Sequence, residues 1–242
     1  MKLGRLSGIQ QPIGRIYKKL STAIAAIASG SILFPTSSYL ASGTSLTLGV
    51  TVTAECWFRT TANPATSKIV LVAGNGNRGI SIYNGQYGQN SYSATKWTVD
   101  WEFAGNIEFT VPTMSANTWY HLAVTQTAAG TMTLWLNGTR SSTGTLTPNW
   151  NFIANNYRIG GWQSQGIYSQ GVYISNVRLT NTAVYDVTQT SIVVPTAPLT
   201  AITGTQLLLN TTNDANYLKD SSTNNATFTK AGTASSSALN PF

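Results

Sequence analysis

The stretch WYHLAVTQTAAGTMTLWLNGT, residues 119–139, decides the fold of this 242-residue chain. Two segments of it, residues 119–126 and 131–137, are rich in aromatic and aliphatic residues that alternate in the way a half-buried strand requires. Asn137 and Gly138 follow the second segment. This dipeptide favours a type I′ turn, because both residues readily adopt a positive φ. The stretch therefore predicts β-strands and a tight hairpin.

The same pattern of short alternating runs extends from Ser31 to about Pro195. Turn residues bound the runs, and no helical period longer than two turns appears after Gly30. Many short strands at this spacing are typical of an all-β jelly-roll sandwich of two antiparallel sheets. The predicted strands are residues 31–34, 46–48, 52–60, 68–73, 79–83, 96–103, 108–111, 119–126, 131–137, 156–159 and 171–179.

Composition excludes several classes of protein. Hydrophobic residues make up 42% of the chain and charged residues only 9%, against about 25% charged in an average soluble domain. A long charged helical protein and a highly charged disordered tail do not fit these values. The chain has one His and one Cys, which argues against a His- or Cys-rich metal protein and against an internal disulfide.

The formal net charge of +7 is concentrated at the N-terminus. Five basic residues lie within the first twenty positions, and the first acidic residue is Glu55. The remaining 222 residues carry nine basic and seven acidic residues, so the body of the protein is nearly neutral. A nucleic-acid-binding domain would spread Lys and Arg over a folded face, and we therefore expect no nucleic-acid partner.

The N-terminal segment predicts a basic arm, residues 1–30, that contains one amphipathic helix at about residues 12–28. Apolar residues recur there at spacings of three and four, with basic residues on the opposite face. Pro12 suits the first helical turn and Gly30 suits the position after the last. The arm residues expected to anchor or oligomerise the protein are Lys2, Arg5, Ile13, Arg15, Ile16, Lys18, Lys19, Leu20, Ile24 and Ile27.

Several interpretations of this arm compete. A signal peptide is disfavoured because the basic region is long and Ser and Thr dilute the apolar run. A membrane span needs about 20 apolar residues, and the arm has no such run. A membrane-surface helix fits the pattern but has little apolar bulk. We favour an anchoring or oligomerisation helix, because Ile13, Leu20 and Ile27 fall seven apart; the alternative is a helix packed on its own domain.

The body, residues 31–242, resembles the laminin-G-like, concanavalin-A-like jelly-roll superfamily. The resemblance lies in the order of SSYL, VTAECWFRT, ANTWYHLAVTQT, GTMTLWLNGT, YRIGG and GVYISNVRLTNTAVYD. It covers about residues 31–186 and implies a sandwich fold more strongly than any activity. The residues that carry it are Ser38, Tyr39, Leu40, Trp57, Trp119, His121, Leu122, Ala123, Leu134, Leu136, Asn137, Gly138, Gly171, Ile174, Val177, Arg178, Asn181, Ala183 and Val184.

The C-terminal segment, residues 196–242, resembles the part that normally opens such a domain, here placed last. Two arrangements are open: residues 206–209 and 226–230 close the sheets of the same subunit in permuted order, or they pair with a neighbouring subunit. Tails of the form LTAITGTQLL that end in PF are similar to those of structural proteins of tailed bacteriophages, especially cyanophages. The resemblance implies a location on the virion surface.

Few residues point to catalysis. Asp100 and Glu102 are spaced like the carboxylates of the glucanases of this superfamily, and alternation places them on one strand face. Position 104 holds Ala where a third acid would be needed, so we expect a solvated face and no enzyme. His121 has no nucleophile or ligand spacing around it and is interpreted as a hydrogen-bonded structural residue.

No cofactor is expected, with one weak candidate for calcium. Calcium prefers six to eight oxygen ligands, commonly including several carboxylates. The acid and amide cluster near the C-terminus matches no defined calcium loop, and we interpret it as a polar loop. Its members are Asn213, Asp214, Asn216, Asp220 and Asn224.

Two Gly-rich loops, residues 83–97 and 160–171, carry aromatic and amide side chains of the kind that bind sugars. The candidate glycan-binding residues are Tyr87, Tyr92, Trp162, Gln163 and Tyr168.

These patterns together favour a non-enzymatic virion structural protein, a capsid decoration or fibre-like subunit that is anchored by its arm and displays a jelly roll. Its expected partners are other virion proteins and copies of itself, for example in a trimer. The alternative is a carbohydrate-binding adhesin or receptor-binding lectin domain that recognises a host-surface glycan. A glycoside hydrolase is the third and least favoured function.

Overall fold

The computed structural model describes residues 30–65, 68–74, 80–86, 92–101, 105–147, 149–152, 157–162, 167–210 and 217–242. The predicted N-terminal helix lies outside these residues. The described part of the chain is all-β and contains no helix, and so none that could span a membrane. Its strands are β1 (Ser31–Phe34), β2 (Tyr39–Ser42), β3 (Leu46–Gly49), β4 (Val52–Thr60), β5 (Val70–Gly74), β6 (Ile80–Asn84), β7 (Lys96–Trp101), β8 (Gly105–Thr110), β9 (Trp119–Gln126), β10 (Thr131–Leu136), β11 (Thr139–Thr145), β12 (Trp150–Phe152), β13 (Tyr157–Ile159), β14 (Gly161–Trp162), β15 (Ile167–Tyr168), β16 (Val172–Thr180), β17 (Thr205–Leu209), β18 (Phe228–Ala231) and β19 (Ser235–Ser237).

Two large antiparallel sheets form the jelly-roll sandwich. The first sheet has the strand order β11-β10-β9-β4-β16-β1-β19, and β17 also pairs with β16. The second sheet has the order β18-β2-β13-β5-β6-β7-β8. Two small ribbons, β12-β3 and β14-β15, complete the described strands. Neighbours in each sheet are often distant in sequence, so the site residues come from separate parts of the chain.

The hydrophobic core lies between the two large sheets. Alternation along β4 places Ala54, Cys56 and Phe58 on the inner face. The Phe58 ring meets the Trp97 ring of β7 at a centroid distance of 5.2 Å and so connects the two sheets. Cys56 is a free thiol within this core, and burial raises its pKa well above the ordinary value.

The tight hairpin predicted after β10 is present. Asn137 has a φ of 47° and Gly138 a φ of 76°, as a type I′ turn requires. A side chain at Gly138 would have a Cβ only 2.6 Å from the carbonyl oxygen of Ile192. The glycine is therefore required both by its backbone conformation and by the close approach of the later chain.

The C-terminal strands pair within the subunit. β17 pairs with β16, β18 with β2, and β19 with β1. Both large sheets therefore include strands from residues 205–237, placed beside strands from the first half of the body.

Residues 181–204, here called the strap, cross the outer face of the first sheet. Side chains of that face bind strap carbonyls: Thr53 Oγ1 donates to Thr182 O at 3.0 Å, and Thr133 Oγ1 donates to Val187 O at 3.2 Å. The Ile192 amide donates to Gly138 O at 2.9 Å. The strap thus covers much of the outer face of the first sheet.

Candidate functional site

A buried ionic cluster lies between the first sheet and the strap. Glu55 on β4 accepts hydrogen bonds from Arg178 Nε at 2.8 Å and Arg178 Nη2 at 2.5 Å through its Oε1. Its Oε2 lies 3.2 Å from His121 Nε2 and accepts a 2.9 Å hydrogen bond from the Tyr185 hydroxyl of the strap. Glu55 and His121 are fully buried and Arg178 nearly so.

Electrostatics show why this carboxylate stays ionised. Burial raises the pKa of Glu55, but the His121 hydrogen bond and the Arg178 charge outweigh that effect, and the pKa is lowered overall. Burial and the Glu55 charge raise the pKa of the Tyr185 hydroxyl. Because the cluster has no exposed carboxylate and holds the strap in place, we interpret it as structural, including His121.

The outer face of the second sheet carries a second set of polar residues in cross-strand register. Arg158 lies opposite position 73, position 73 lies opposite Ser81, and Ser81 lies opposite Asp100. We call Arg158, Ser81 and Asp100 the polar row. Their exposed fractions are only 6%, 0% and 3%. Ser81 Oγ is buried and has no hydrogen-bond partner among the described residues.

Two half-buried tyrosine rings flank the Arg158 end of the polar row. The Arg158 guanidinium lies 4.9 Å from the centroid of the Tyr39 ring. Tyr168 stacks on Tyr39 with a centroid distance of 5.8 Å and an interplanar angle of 15°. Gly161 makes room for this pair, because a Cβ there would lie 2.8 Å from the Tyr168 ring and 2.9 Å from Tyr39 Cβ.

A second aromatic and cationic cluster lies on the same side of the sandwich. The Lys68 ammonium is 5.3 Å from the ring centroids of both Tyr83 and Tyr92. Lys68 is 3% exposed, and burial lowers its pKa to about 8. Tyr83 follows Ser81 on the outer face of β6, so this cluster adjoins the polar row.

The predicted glycan-binding residues are only partly placed. Tyr92 and Tyr168 belong to the two clusters above. Tyr87 and Gln163 lie outside the described residues, and Trp162 contributes its backbone to β14 while its side chain is outside the description. The sequence-based candidates did not include Tyr39, Lys68 or Arg158, and Tyr83 was recognised only as part of the loop at residues 83–97. For Arg158 a signal was present, since it stands between the core residues Tyr157 and Ile159 and must face outward.

The carboxylates that the sequence suggested for catalysis or calcium binding do not form a common site among the described residues. Asp100 is a member of the polar row, while Glu102 lies outside the described residues. Asp220 accepts hydrogen bonds from three backbone amides and from the Ser222 hydroxyl, which leaves it poorly suited to bind calcium. Among the described residues, no three His, Cys, Asp or Glu are grouped to hold a metal ion.

This face combines half-buried aromatic rings with buried hydrogen-bonding groups. The half-buried rings offer stacking area to a ligand with apolar ring faces, whereas the polar row lies beneath the accessible surface.

Comparisons with known proteins identify the family and the fold of the chain. A family model, Laminin_G_3, described as the concanavalin A-like lectin/glucanases superfamily, matches residues 34–186. No curated protein matches the chain.

Solved structures show the same fold. A candidate carbohydrate-binding protein from Bacteroides ovatus is similar with a TM-score of 0.60 and 19% identity, over 88% of this chain and 60% of that one. The chain therefore spans less than two thirds of that protein. A heptameric SAP-like pentraxin from Limulus polyphemus has a TM-score of 0.52 and 15% identity, over 66% of this chain and 80% of that one. At these identities the similarity shows the fold alone.

Proposed function

Because the chain belongs to the concanavalin A-like lectin/glucanases superfamily, we propose that it is a non-enzymatic module that binds carbohydrate on the outer face of its second sheet. The observation that carries the proposal is the half-buried Tyr39–Tyr168 stack on that face. On the first sheet, the strap covers the centre of the outer face.

Sugar binding is favoured over a purely structural surface by the chemistry of this face. Arg158, Ser81 and Asp100 are nearly inaccessible, so a sugar would contact the half-buried Tyr39 and Tyr168 rings and not the polar row. The family that matches residues 34–186 includes lectins, which supports the same function. Catalysis is disfavoured because the buried Glu55 is committed to Arg178, His121 and Tyr185.

Replacing Tyr168 or Tyr39 with alanine tests this function. A glycan array first identifies a ligand for the full chain, and isothermal titration calorimetry then measures its affinity. Each variant is expected to weaken binding by about 5- to 150-fold, because losing a stacked aromatic ring removes about 1–3 kcal/mol of contact.

The matched control is Tyr173→Ala. Tyr173 is also a half-buried strand tyrosine beneath an arginine, with Arg59 at 5.5 Å from its ring centroid, but it lies on the outer face of the first sheet. The Tyr173→Ala variant should bind the glycan with the same affinity as the unmodified protein. The proposal is wrong if the array detects no glycan, or if Tyr173→Ala weakens binding as much as Tyr168→Ala.

We also infer that residues 12–28 attach this module to a larger assembly. The support is the sequence: an amphipathic basic segment precedes a nearly neutral body, and burial of its apolar face supplies about 25 cal/mol per Å². The C-terminal resemblance favours a phage virion surface as that assembly, with copies of this chain and other virion proteins as partners.

Deleting residues 1–29 tests the attachment. Sedimentation equilibrium is expected to give an oligomer for the full chain and a folded monomer for the truncated chain. Gly30 is retained, since its carbonyl accepts a hydrogen bond from Ser175 Oγ. A full chain that is monomeric by itself and does not bind virion proteins would contradict the inference.

A further inference from the structure

This inference deepens the proposed attachment and rests on it. We propose that four half-buried residues on the outer face of the first sheet, here called the outer row, form the docking surface for residues 12–28 of a second copy of the chain. The outer row consists of Leu33, Tyr173, Arg59 and Trp119.

The outer row is continuous across four neighbouring strands. Leu33 of β1 lies opposite Tyr173 of β16. Arg59 of β4 lies opposite Tyr173 on one side and Trp119 of β9 on the other. The four side chains alternate with residues that face the core, so they point outward. The Arg59 guanidinium lies 5.5 Å from the centroid of the Tyr173 ring, so this arginine continues the row through the apolar part of its side chain.

The strap does not cover this part of the face. Thr53, which donates a hydrogen bond to the strap, stands six residues before Arg59 on β4, about 20 Å away at the usual rise of a strand. The outer row is therefore open to solvent, as the half-buried state of its members shows.

Residues 238–242 enlarge the apolar surface beside the outer row. Ser31 Oγ donates a 2.6 Å hydrogen bond to Leu239 O, and the Phe242 ring meets the Trp57 ring at a centroid distance of 5.7 Å. Leu239 and Phe242 are nevertheless 44% and 40% exposed. A contiguous exposed apolar patch commonly marks an interaction site.

The predicted helix at residues 12–28 has a face that fits this surface. Its apolar residues recur at spacings of three and four, and its basic residues take the other face. The apolar face from Ile16 to Ile27 is about 16 Å long at 1.5 Å per residue, and the outer row is about 14 Å long across four strands. Docking would bury the apolar face and leave the basic face in solvent.

The position of Gly30 favours a second copy over the same subunit. Along β1 the order is Gly30, then Ser31, which binds Leu239, then Leu33 of the outer row. Residues 238–242 therefore lie between Gly30 and the row. The predicted helix reaches residue 28, and one residue spans at most about 3.6 Å, too little for the chain to pass over residues 238–242 and turn onto its own row. Exchange of the same segment between copies is a low-cost route to an oligomer.

Complementation between two variants of the full chain tests the docking. Leu20→Glu places a charge on the apolar face of the predicted helix, and Trp119→Gln removes the largest ring of the outer row. Each variant alone is expected to weaken self-association about 30-fold or more in sedimentation equilibrium, as the loss of a central interface side chain does. An equimolar mixture is expected to form a one-to-one complex, because the intact helix of one chain docks on the intact row of the other.

Tyr168→Ala is the matched control. It removes a half-buried aromatic ring from the second sheet, so it should leave self-association unchanged. If Trp119→Gln does not fold, Leu33→Gln tests the other end of the outer row. The association should also persist at high NaCl, since salt screens charge pairs and not apolar contacts.

The outcomes separate this inference from the proposed attachment. An oligomer that survives both row variants but is lost without residues 1–29 overturns the docking surface and leaves the attachment intact. Variants that lose self-association but do not complement each other overturn the second copy as the occupant of the outer row. A full chain that does not self-associate overturns this inference too, and the attachment would then require another virion protein.

Discussion

Replacing Arg178 with methionine is expected to lower the free energy of unfolding by about 3–5 kcal/mol, because it leaves the Glu55 carboxylate buried without its main counter-charge. Arg178 also donates a 2.8 Å hydrogen bond from Nη1 to Thr200 O of the strap, so the substitution loosens the strap as well. Urea denaturation of the variant and the unmodified protein measures the difference.

Two further variants show whether the cost comes from the unpaired charge. Arg59→Met removes another arginine of the first sheet, which packs on Tyr173 and donates a hydrogen bond to Asn117 at a more accessible site. This variant should lower the free energy of unfolding by about 1 kcal/mol or less. The double variant Glu55→Gln with Arg178→Met should be more stable than Arg178→Met alone, because it no longer buries a charge. Equal stability of the single and double variants would show that lost packing, not charge, sets the cost.

The pH dependence of the free energy of unfolding follows from the same Glu55 cluster. The pKa of Glu55 is lowered in the folded protein, so the unfolded state takes up a proton first as the solution is acidified. The contribution of Glu55 to stability is therefore fully present above its unfolded pKa and is lost as the pH falls through its folded value. In Arg178→Met this part of the acid dependence should shrink.

Much of the sandwich was predictable because one face of each long strand is apolar. β4 and β9 have the predicted bounds, 52–60 and 119–126, since their inner residues must alternate to reach the core. β11 (Thr139–Thr145) was missed because its sequence is polar and it lies at a sheet edge, where no alternation is needed. β14 and β15 were missed because two-residue strands carry no period.

The site was less predictable because it depends on register between distant strands. The Gly-rich loops with aromatic residues predicted Tyr92 and Tyr168 as glycan-binding residues, and the structure places the two rings in the two aromatic clusters. Arg158 and Tyr39 fall on one face only because β13 pairs with β2. That pairing joins residues more than a hundred positions apart, and no local pattern specifies it.

Replacing Asp220 with asparagine is expected to destabilise the protein by about 2–4 kcal/mol. Asp220 Oδ1 accepts from the amides of Leu208 at 2.9 Å and Ser222 at 2.8 Å, and Oδ2 accepts from the Ala226 amide at 2.8 Å and the Ser222 hydroxyl at 2.7 Å. An asparagine has one acceptor oxygen, so in either orientation at least one buried amide N–H faces another donor. Each such unsatisfied group costs about 1–3 kcal/mol.

The effect should appear in the C-terminal strands before the rest of the sandwich, because Asp220 ties the end of β17 to the segment that leads into β18. Hydrogen exchange at Leu208 and Ala226 is expected to accelerate in Asp220→Asn under conditions where Val99 in β7 stays protected. Asp186→Asn is the matched control: Asp186 makes a similar turn with Thr188 but is exposed, so water replaces its lost hydrogen bonds. If both variants were equally stable, the Asp220 carboxylate would not be the group that closes the C-terminal strands onto the sandwich.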